Sequence, residues 1–431
     1  MALFTLPDSA PAMHAESQLF SVPVSFTERW KTEHERINPT TVLNEEGHSG
    51  TSGDINFYIP PSSSGLLSLR DVCLEMEVAI KVKLSTETEW RFIGVEDGVA
   101  PSNNYMHSLL QSVHVTVCNK LISDCSNSYP YRAYFQSLLE YSCATQLMLL
   151  RNAGHYVDTA YQFNNYNEND GEKGRRTLFS HQNFAQLSGK IFADIFETEK
   201  PLITGVPINI RLVINRPEFY LRIFDVNKLK QFKVVIRNPR ICLRRFIPAP
   251  DYMIKVTEEL QSKTCKYHLE RRVMRVLDIS RGVQSTVVSN LVIGQLPKLL
   301  LLGFVSSEDY HGKSTSSPFN FQHFDLTQLS VECDGQSYPS KPFTADYGKK
   351  QSLEPYNGLL EALGRKNHLM GELNFTREAY AGGFCIYGVD LTPGSTGLGP
   401  LTLVRQGNLS VSVTFAHPLK ETIMMVAMLG K

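Results

Sequence analysis

What most constrains this chain is an alternation of apolar and polar residues with a period of two, repeated in many short runs. Between Leu74 and Leu84, residues Leu74, Met76, Val78, Ile80, Val82 and Leu84 fall on one side. Glu75, Glu77, Lys81 and Lys83 fall on the other, with Ala79. That spacing fits a pleated strand with one buried and one wet face. The same pattern sets Val113, Val115 and Val117 against His114 and Thr116, and Ile208, Ile210 and Leu212 against Asn209 and Arg211. It also sets Leu409, Val411, Val413 and Phe415 against Ser410, Ser412 and Thr414. Runs at 55–59, 233–237, 273–279 and 384–389 bring the total to at least eight, set between clusters of Gly, Pro, Asn, Ser and Asp. Helices are few. One is predicted over roughly 132–151, opened by Pro130 and stopped by Gly154; a second over 251–261, capped by Asp251; a third over 354–363, ended by Gly364. Without a regular strand–helix alternation the sheets are antiparallel, so an all-β sandwich or jelly roll is predicted.

The chain is 431 residues long, roughly three ordinary domain lengths of ~150 residues. Its best seam lies near residue 250. A long strand candidate, Lys233–Ile247, carries a bulge site at Pro239 and is broken by Pro248 and Pro250; after a short helix a new strand series starts near Lys266. The expected organisation is an N-terminal arm over 1–20, a first sandwich over 21–248 with insertions, a linker helix over 249–265 and a second sandwich over 266–431. The polar segments 96–104 and 164–176 are expected as surface excursions.

Composition narrows the function. Hydrophobic residues make up 42% and charged residues 20%, the mix of a packed globular chain. Lys plus Arg equals Asp plus Glu at 43 each, which argues against gripping nucleic acid over the whole surface and leaves little self-repulsion against assembly. The eight cysteines contain no CxxC pair, so free thiols in a reducing compartment are expected. The N-terminus lacks a basic start, and the apolar run Leu291–Val305 is interrupted and shorter than the ~20 residues that span a bilayer. A soluble chain, intracellular where it is made, is expected.

No motif announces catalysis. HGKST at His311–Thr315 lacks the first glycine of a phosphate loop, because Ser307 stands there. Gly394, Gly397 and Gly399 read as a turn. No HxH or HExxH occurs, so neither a metal site nor a cupin-like centre is supported. No catalytic, cofactor-binding or metal-binding residue is assigned, and the expectation is a protein without enzymatic activity or cofactor. One asymmetry stands out. Residues 211–275 hold 16 Lys plus Arg against 6 Asp plus Glu, whereas residues 1–60 hold 3 against 8. The simple reading is a set of solvated strand edges. The functional one is a DNA-facing or inter-subunit basic segment carried by Arg237, Arg240, Arg244, Arg245 and Lys255.

Specific strings say more than periodicity. INFYIPPSSSGLLSLRDVCLEMEVAIKV (Ile55–Val82) and VAPSNNYMHSLLQSVHVTVCNKLISDCSNSYPYRAYFQSLLEYS (Val99–Ser142) closely resemble the major capsid proteins of Polinton (Maverick) elements and the related adintoviruses. The likeness continues through GVPINIRLVINRPEFYL (Gly205–Leu221), SNLVIGQLPK (Ser289–Lys298), SPFNFQHF (Ser317–Phe324) and YGVDLTPG (Tyr387–Gly394), so it spans about Ser17 to Leu419. YIPP at Tyr58–Pro61 departs from the family pattern in its last position. The motifs are not catalytic: Tyr129-Pro130-Tyr131 and Pro318-Phe319-Asn320-Phe321 look like rigid corners and buried anchors.

The resemblance implies a double jelly roll, two eight-stranded antiparallel sandwiches with a few short helices in insertions and at the junction. It implies a homotrimer acting as a pseudo-hexameric, hexon-like capsomer that tiles an icosahedral shell around double-stranded DNA. Neighbouring trimers, penton and minor capsid proteins and the packaged DNA are the implied partners. The chain would be made in the host cytoplasm, with assembly possible in the nucleus, and would end in the virion capsid. Two rivals compete from other classes. One is a jelly-roll receptor- or glycan-binding module without shell assembly, for which the loop Tyr161–Asn169 (YQFNNYNEN) is the candidate. The other is a sandwich glycosidase, for which no motif speaks and two Trp are few.

Overall fold

A computed structural model describes residues 30–41, 53–62, 65–85, 87–125, 128–181, 183–224, 230–366, 373–392 and 406–430. The predicted arm over 1–20 and the glycine turn at 394–399 lie outside these residues. Eight principal strands come first: β1 (Trp30–Ile37), β2 (Asp54–Ile59), β3 (Cys73–Leu84), β4 (Leu110–Val117), β5 (Lys120–Cys125), β6 (Ala185–Lys190), β7 (Ile208–Ile214) and β8 (Lys230–Pro248). Eight more follow: β9 (Arg272–Ile279), β10 (Ser285–Gln295), β11 (Leu299–Ser306), β12 (Leu326–Cys333), β13 (Gln336–Thr344), β14 (Ile386–Asp390), β15 (Gln406–Phe415) and β16 (Ile423–Gly430).

In the first half the strands pair as β1–β8–β3–β6 and β2–β7–β4–β5, all antiparallel. In the second half the sheets are β9–β16–β11–β14 and β10–β15–β12–β13. The two orders are the same plan shifted by eight strands. Each closes a jelly roll by laying the last strand beside the first, so the chain is an all-β double jelly roll.

The alternation that predicted β3 is the one observed: Leu74, Met76, Val78, Ile80 and Val82 are buried between the first two sheets. Each is stabilised by about 2 kcal/mol relative to exposure. Ala79, predicted on the wet face, is buried as well, opposite buried Val235. The β3–β8 register shifts between Arg237 and Arg240, where Asn238 adopts a φ of 47°, so the chain bulges at Pro239, which has no N–H to give the ladder.

Some local expectations need correction. The single helix over 132–151 is broken into α1 (Tyr129–Leu139), α2 (Cys143–Met148) and a 3-10 turn over Leu150–Ala153. Ser142 starts the second segment by accepting a hydrogen bond from the Thr145 N–H, and Gly154 ends the run with a φ of 79°. The linker helix, α4 (Pro250–Ser262), has Ala249 rather than Asp251 at its N-cap, because Pro250 already occupies the first turn. The next principal strand starts at Arg272 rather than near Lys266. Segments 96–104 and 164–176 are not plain surface excursions. Ser102, Asn103 and Asn104 are buried, and α3 (Asp170–Phe179) buries Glu172 and Arg175. The third helix is α5 (Leu353–Ala362), close to its expected bounds.

Connections alternate between the ends of each sandwich. At one end lie the described parts 87–109, 128–181 and 215–224 of the first sandwich and 307–325, 345–366, 373–385 and 416–422 of the second; the opposite end has tight turns such as 118–119 and 334–335. The long loops of the two halves meet. The Tyr161 N–H donates to Gly382 O at 2.7 Å, the Ile223 N–H to Ser314 O at 2.6 Å, and the Ser317 N–H to Asn164 Oδ1 at 2.8 Å. At the other end Lys200 Nζ reaches Lys266 O at 2.9 Å and the Ile203 N–H reaches the Tyr267 hydroxyl at 3.0 Å. The sandwiches therefore stand side by side with corresponding ends together.

Candidate functional site

What holds the sandwiches side by side is α1, an insertion of the first half. All its residues from Tyr129 to Leu139 are buried, which an ordinary surface helix never shows. Its two faces serve two cores. Tyr129 and Ala133 join the first, while Tyr131, Tyr134, Phe135, Leu138 and Leu139 join the second. Tyr134 stacks on Phe319 at 4.4 Å between centroids, Tyr131 meets Phe319 edge-on at 5.6 Å, and Phe135 lies 5.1 Å from Phe321. The two aromatic strings read from sequence as buried anchors thus anchor each other. Such ring pairs contribute about 1 kcal/mol each beyond the area they bury.

A charged bolt crosses the same seam. Arg132 is fully buried and sits 2.7 Å from Asp194, which is also buried. Arg132 Nε donates to Gln136 Oε1 at 3.0 Å and Nη1 to Cys125 Sγ at 3.1 Å. Across the seam, the backbone N–H of Arg272, the first residue of β9, donates to Asp194 Oδ1 at 3.2 Å, and Arg132 Nη1 reaches Arg272 O at 3.4 Å. Arg272 in turn donates to Glu140 Oε1 at 3.2 Å.

Two further buried pairs organise the long-loop end. Arg175 Nη2 lies 2.7 Å from Asp158 Oδ1, and its other nitrogens donate to Pro101 O at 3.0 Å and Tyr156 O at 3.1 Å. Arg222 pairs with Glu172. Nothing in the sequence pointed to these pairs. Glu172 and Arg175 sit in a polar stretch that resembles a solvated loop, and their partners Arg222 and Asp158 lie 50 and 17 residues away in the sequence.

The five basic residues singled out from sequence are only partly together. Arg237, Arg240 and Arg244 share the wet face of β8 with Glu77 and Glu75 of β3 opposite the first two. The Arg237 guanidinium covers the Phe184 ring at 4.2 Å, and Arg244 lies 3.4 Å from Asp71. Arg245 Nε donates to Glu35 Oε2 at 2.8 Å. Lys255 stands apart and exposed on α4.

The loop Tyr161–Asn169 contributes to a groove of about 470 Å³ at the long-loop end, lined also by Asn320, Gln322, Asp325 and Gly382. Among the described residues no group of three or more His, Cys, Asp or Glu could hold a metal ion, and no helix is long and apolar enough to cross a membrane.

Two identical sandwich plans locked side by side define the fold class, and solved structures share it. A chain of the Sputnik virophage, solved by cryo-electron microscopy, is similar with a TM-score of 0.61 at 12% identity, over 98% of this chain and 90% of that one. The Faustovirus major capsid protein matches with a TM-score of 0.54 at 9% identity, covering 98% and 94%. The mavirus major capsid protein gives 0.51 at 12% identity, covering 99% and 93%. By sequence, the uncharacterized protein F54H12.2 of Caenorhabditis elegans is 25% identical over 401 residues, 89% of this chain and 90% of that protein. No protein-family model matches the chain.

Proposed function

We propose that this chain is a major capsid protein of the Polinton and adintovirus kind, a structural protein rather than an enzyme. Three copies would form a pseudo-hexameric capsomer, and many capsomers an icosahedral shell around double-stranded DNA. The observation that carries the reading is the side-by-side locking of two sandwiches with the same strand order and coincident ends. Three such pairs around an axis present six similar walls, which is what a sixfold lattice position requires. The division into a first sandwich over 21–248, a linker over 249–265 and a second sandwich over 266–431 belongs to the same proposal, as do penton and minor capsid partners and a virion location. Light scattering on the purified chain should give a trimer, and negative-stain images should show hexagonal capsomers. A monomer at micromolar concentration with native circular dichroism overturns the reading.

Contact of the basic segment with DNA is a separate part of the proposal. Reversing Arg240, Arg244 and Arg245 to Glu should lower the nucleic acid content of assembled particles; unchanged content in intact particles removes that part alone. The groove beside Tyr161 favours a second reading, a glycan-binding module. Tyr161 is 68% exposed yet fixed, with its N–H on Gly382 O, its hydroxyl on Glu378 O and a φ of 64°. Glycan-array binding by trimers that never form shells would favour that reading over the shell.

A further inference from the structure

Cys73 opens β3 and Cys242 lies in β8, and the register sets them directly opposite each other. Directly opposed residues of an antiparallel pair have Cα atoms about 4.5–5.5 Å apart, inside the range that a disulfide bridges. Directly opposed residues of a pleated pair project from the same face of the sheet, so the two thiols are neighbours. Both are half-buried free thiols on the wet face of the sheet, at the floor of an open groove lined by His34, Arg36, Glu75 and Arg244. A small oxidant can therefore reach them. No other pair of cysteines is set opposite in any register of the described strands.

The position matters mechanically. Beyond the bulge at Pro239, β3 and β8 are joined by only the pairs Arg240–Glu75, Ile241–Leu74 and Cys242–Cys73 before β3 ends. On this side the run is all that ties β3 to the part of β8 that β1 pairs with from Ile241 to Pro248 and that continues into α4, the connection to the second sandwich. Burial, with Glu75 and Cys242 nearby, pushes the Cys73 thiol up to about 12, which keeps the pair protonated and slow to react where reductant is abundant.

We propose that Cys73 and Cys242 form a built-in oxidation site that closes to a cross-strand disulfide when the protein leaves a reducing compartment. The oxidant is a low-molecular-weight disulfide. The thiolate of Cys242, beside the Arg36 guanidinium, attacks one sulfur of that disulfide, forming a mixed disulfide and expelling one thiolate. The Cys73 thiolate then attacks the Cys242 sulfur, forming the protein S–S bond and expelling the second thiolate. Two protein thiols lose two electrons, the small disulfide gains them, and the two released protons end on the small thiols. The bond closes a loop from residue 73 to 242, so it should raise the melting temperature on the order of 5 °C.

The test uses the full chain, purified reduced and then exposed to oxidised glutathione. Non-reducing peptide mapping should find a Cys73–Cys242 cross-linked peptide, and the melting temperature should rise and fall back on adding dithiothreitol. C73S and C242S should each lose both the cross-link and the rise. Stable glutathione adducts on Cys73 or Cys242 overturn the proposal. So does a pair still fully reduced after exposed Cys118 has reacted completely. The peptide map of the unmodified sequence decides the matter even if a serine variant folds poorly, and neither outcome bears on shell assembly.

Discussion

The two sandwiches share a strand plan but not a way of holding their long loops. The first uses buried charge: Arg132, Arg175 and Arg222 are among the largest fully buried side chains, each paired with a carboxylate. In the second, no arginine is buried among the described residues, and its loop end is filled by Phe319, Phe321, Phe375, Tyr380 and Phe384. Irregular backbone explains the difference. Loops that enter a core bring carbonyls without ladder partners, and guanidinium groups supply several donors at once, as Arg175 does for Pro101 and Tyr156. The second sandwich keeps its insertions apolar enough to need few such donors. Fixing a loop by charge is specific but brittle, because removing one partner leaves the other charge buried and unpaired.

That contrast gives its own tests. The largest effect should follow Arg132→Met, which strands Asp194 under the seam: a loss of about 4 kcal/mol in urea unfolding, with one calorimetric transition splitting into two. A loss below about 1 kcal/mol with a single transition would falsify the role of this pair. Next, Tyr134→Ala removes the ring stacked on Phe319 and should cost about 3 kcal/mol, felt in the second sandwich although the residue belongs to the first. A purely first-sandwich effect, read by hydrogen exchange, would contradict the shared helix.

Acid should then separate the halves. Burial holds His107 down to about 3 and His155 to about 4. Unfolded, both titrate near 6.5. Their folded values are depressed, so they contribute no penalty above pH 6.5 and destabilise progressively as pH falls toward 4. At pH 5 this amounts to about 2 kcal/mol for each imidazole. Both lie in the first sandwich, so that half should open first; a melting temperature flat from pH 7.5 to 5 would remove the prediction. The smallest effect belongs to the surface. Arg244→Ala breaks a half-exposed contact with Asp71 and should change stability by less than about 1 kcal/mol, within salt-screening range.

Much of the fold was legible because strands declare themselves over a few residues. Leu74–Val82, Val113–Val117 and Leu409–Phe415 each show their buried face in their own alternation, and Pro239 and Gly154 mark a bulge and a stop by chemistry that acts locally. The break of the long helix at 140–142 was missed because the apolar spacing continues on either side of it while only Ser142 signals a restart. The seam was half legible. YPY and PFNF betrayed themselves as aromatic anchors, yet nothing local tells that they touch. The ion pairs were illegible for a firmer reason: Glu172 and Arg222 look like solvent charges until tertiary packing buries them together. Likewise the opposition of Cys73 and Cys242 depends on a register that no short window contains.

Because α1 lends Tyr131, Tyr134 and Phe135 to a core that is completed only by β9–β16, the order of synthesis acquires a consequence. A ribosome reaches the aromatic helix well before it makes Phe319 and Phe321. At about 5–20 residues per second the helix waits roughly 10 to 40 s for its counterpart. During that interval the nascent first half displays a sticky aromatic ridge. Its binding by a holding chaperone, or its burial by the second half of another nascent chain on the same message, sets whether newly made copies emerge as separate molecules or as entangled ones.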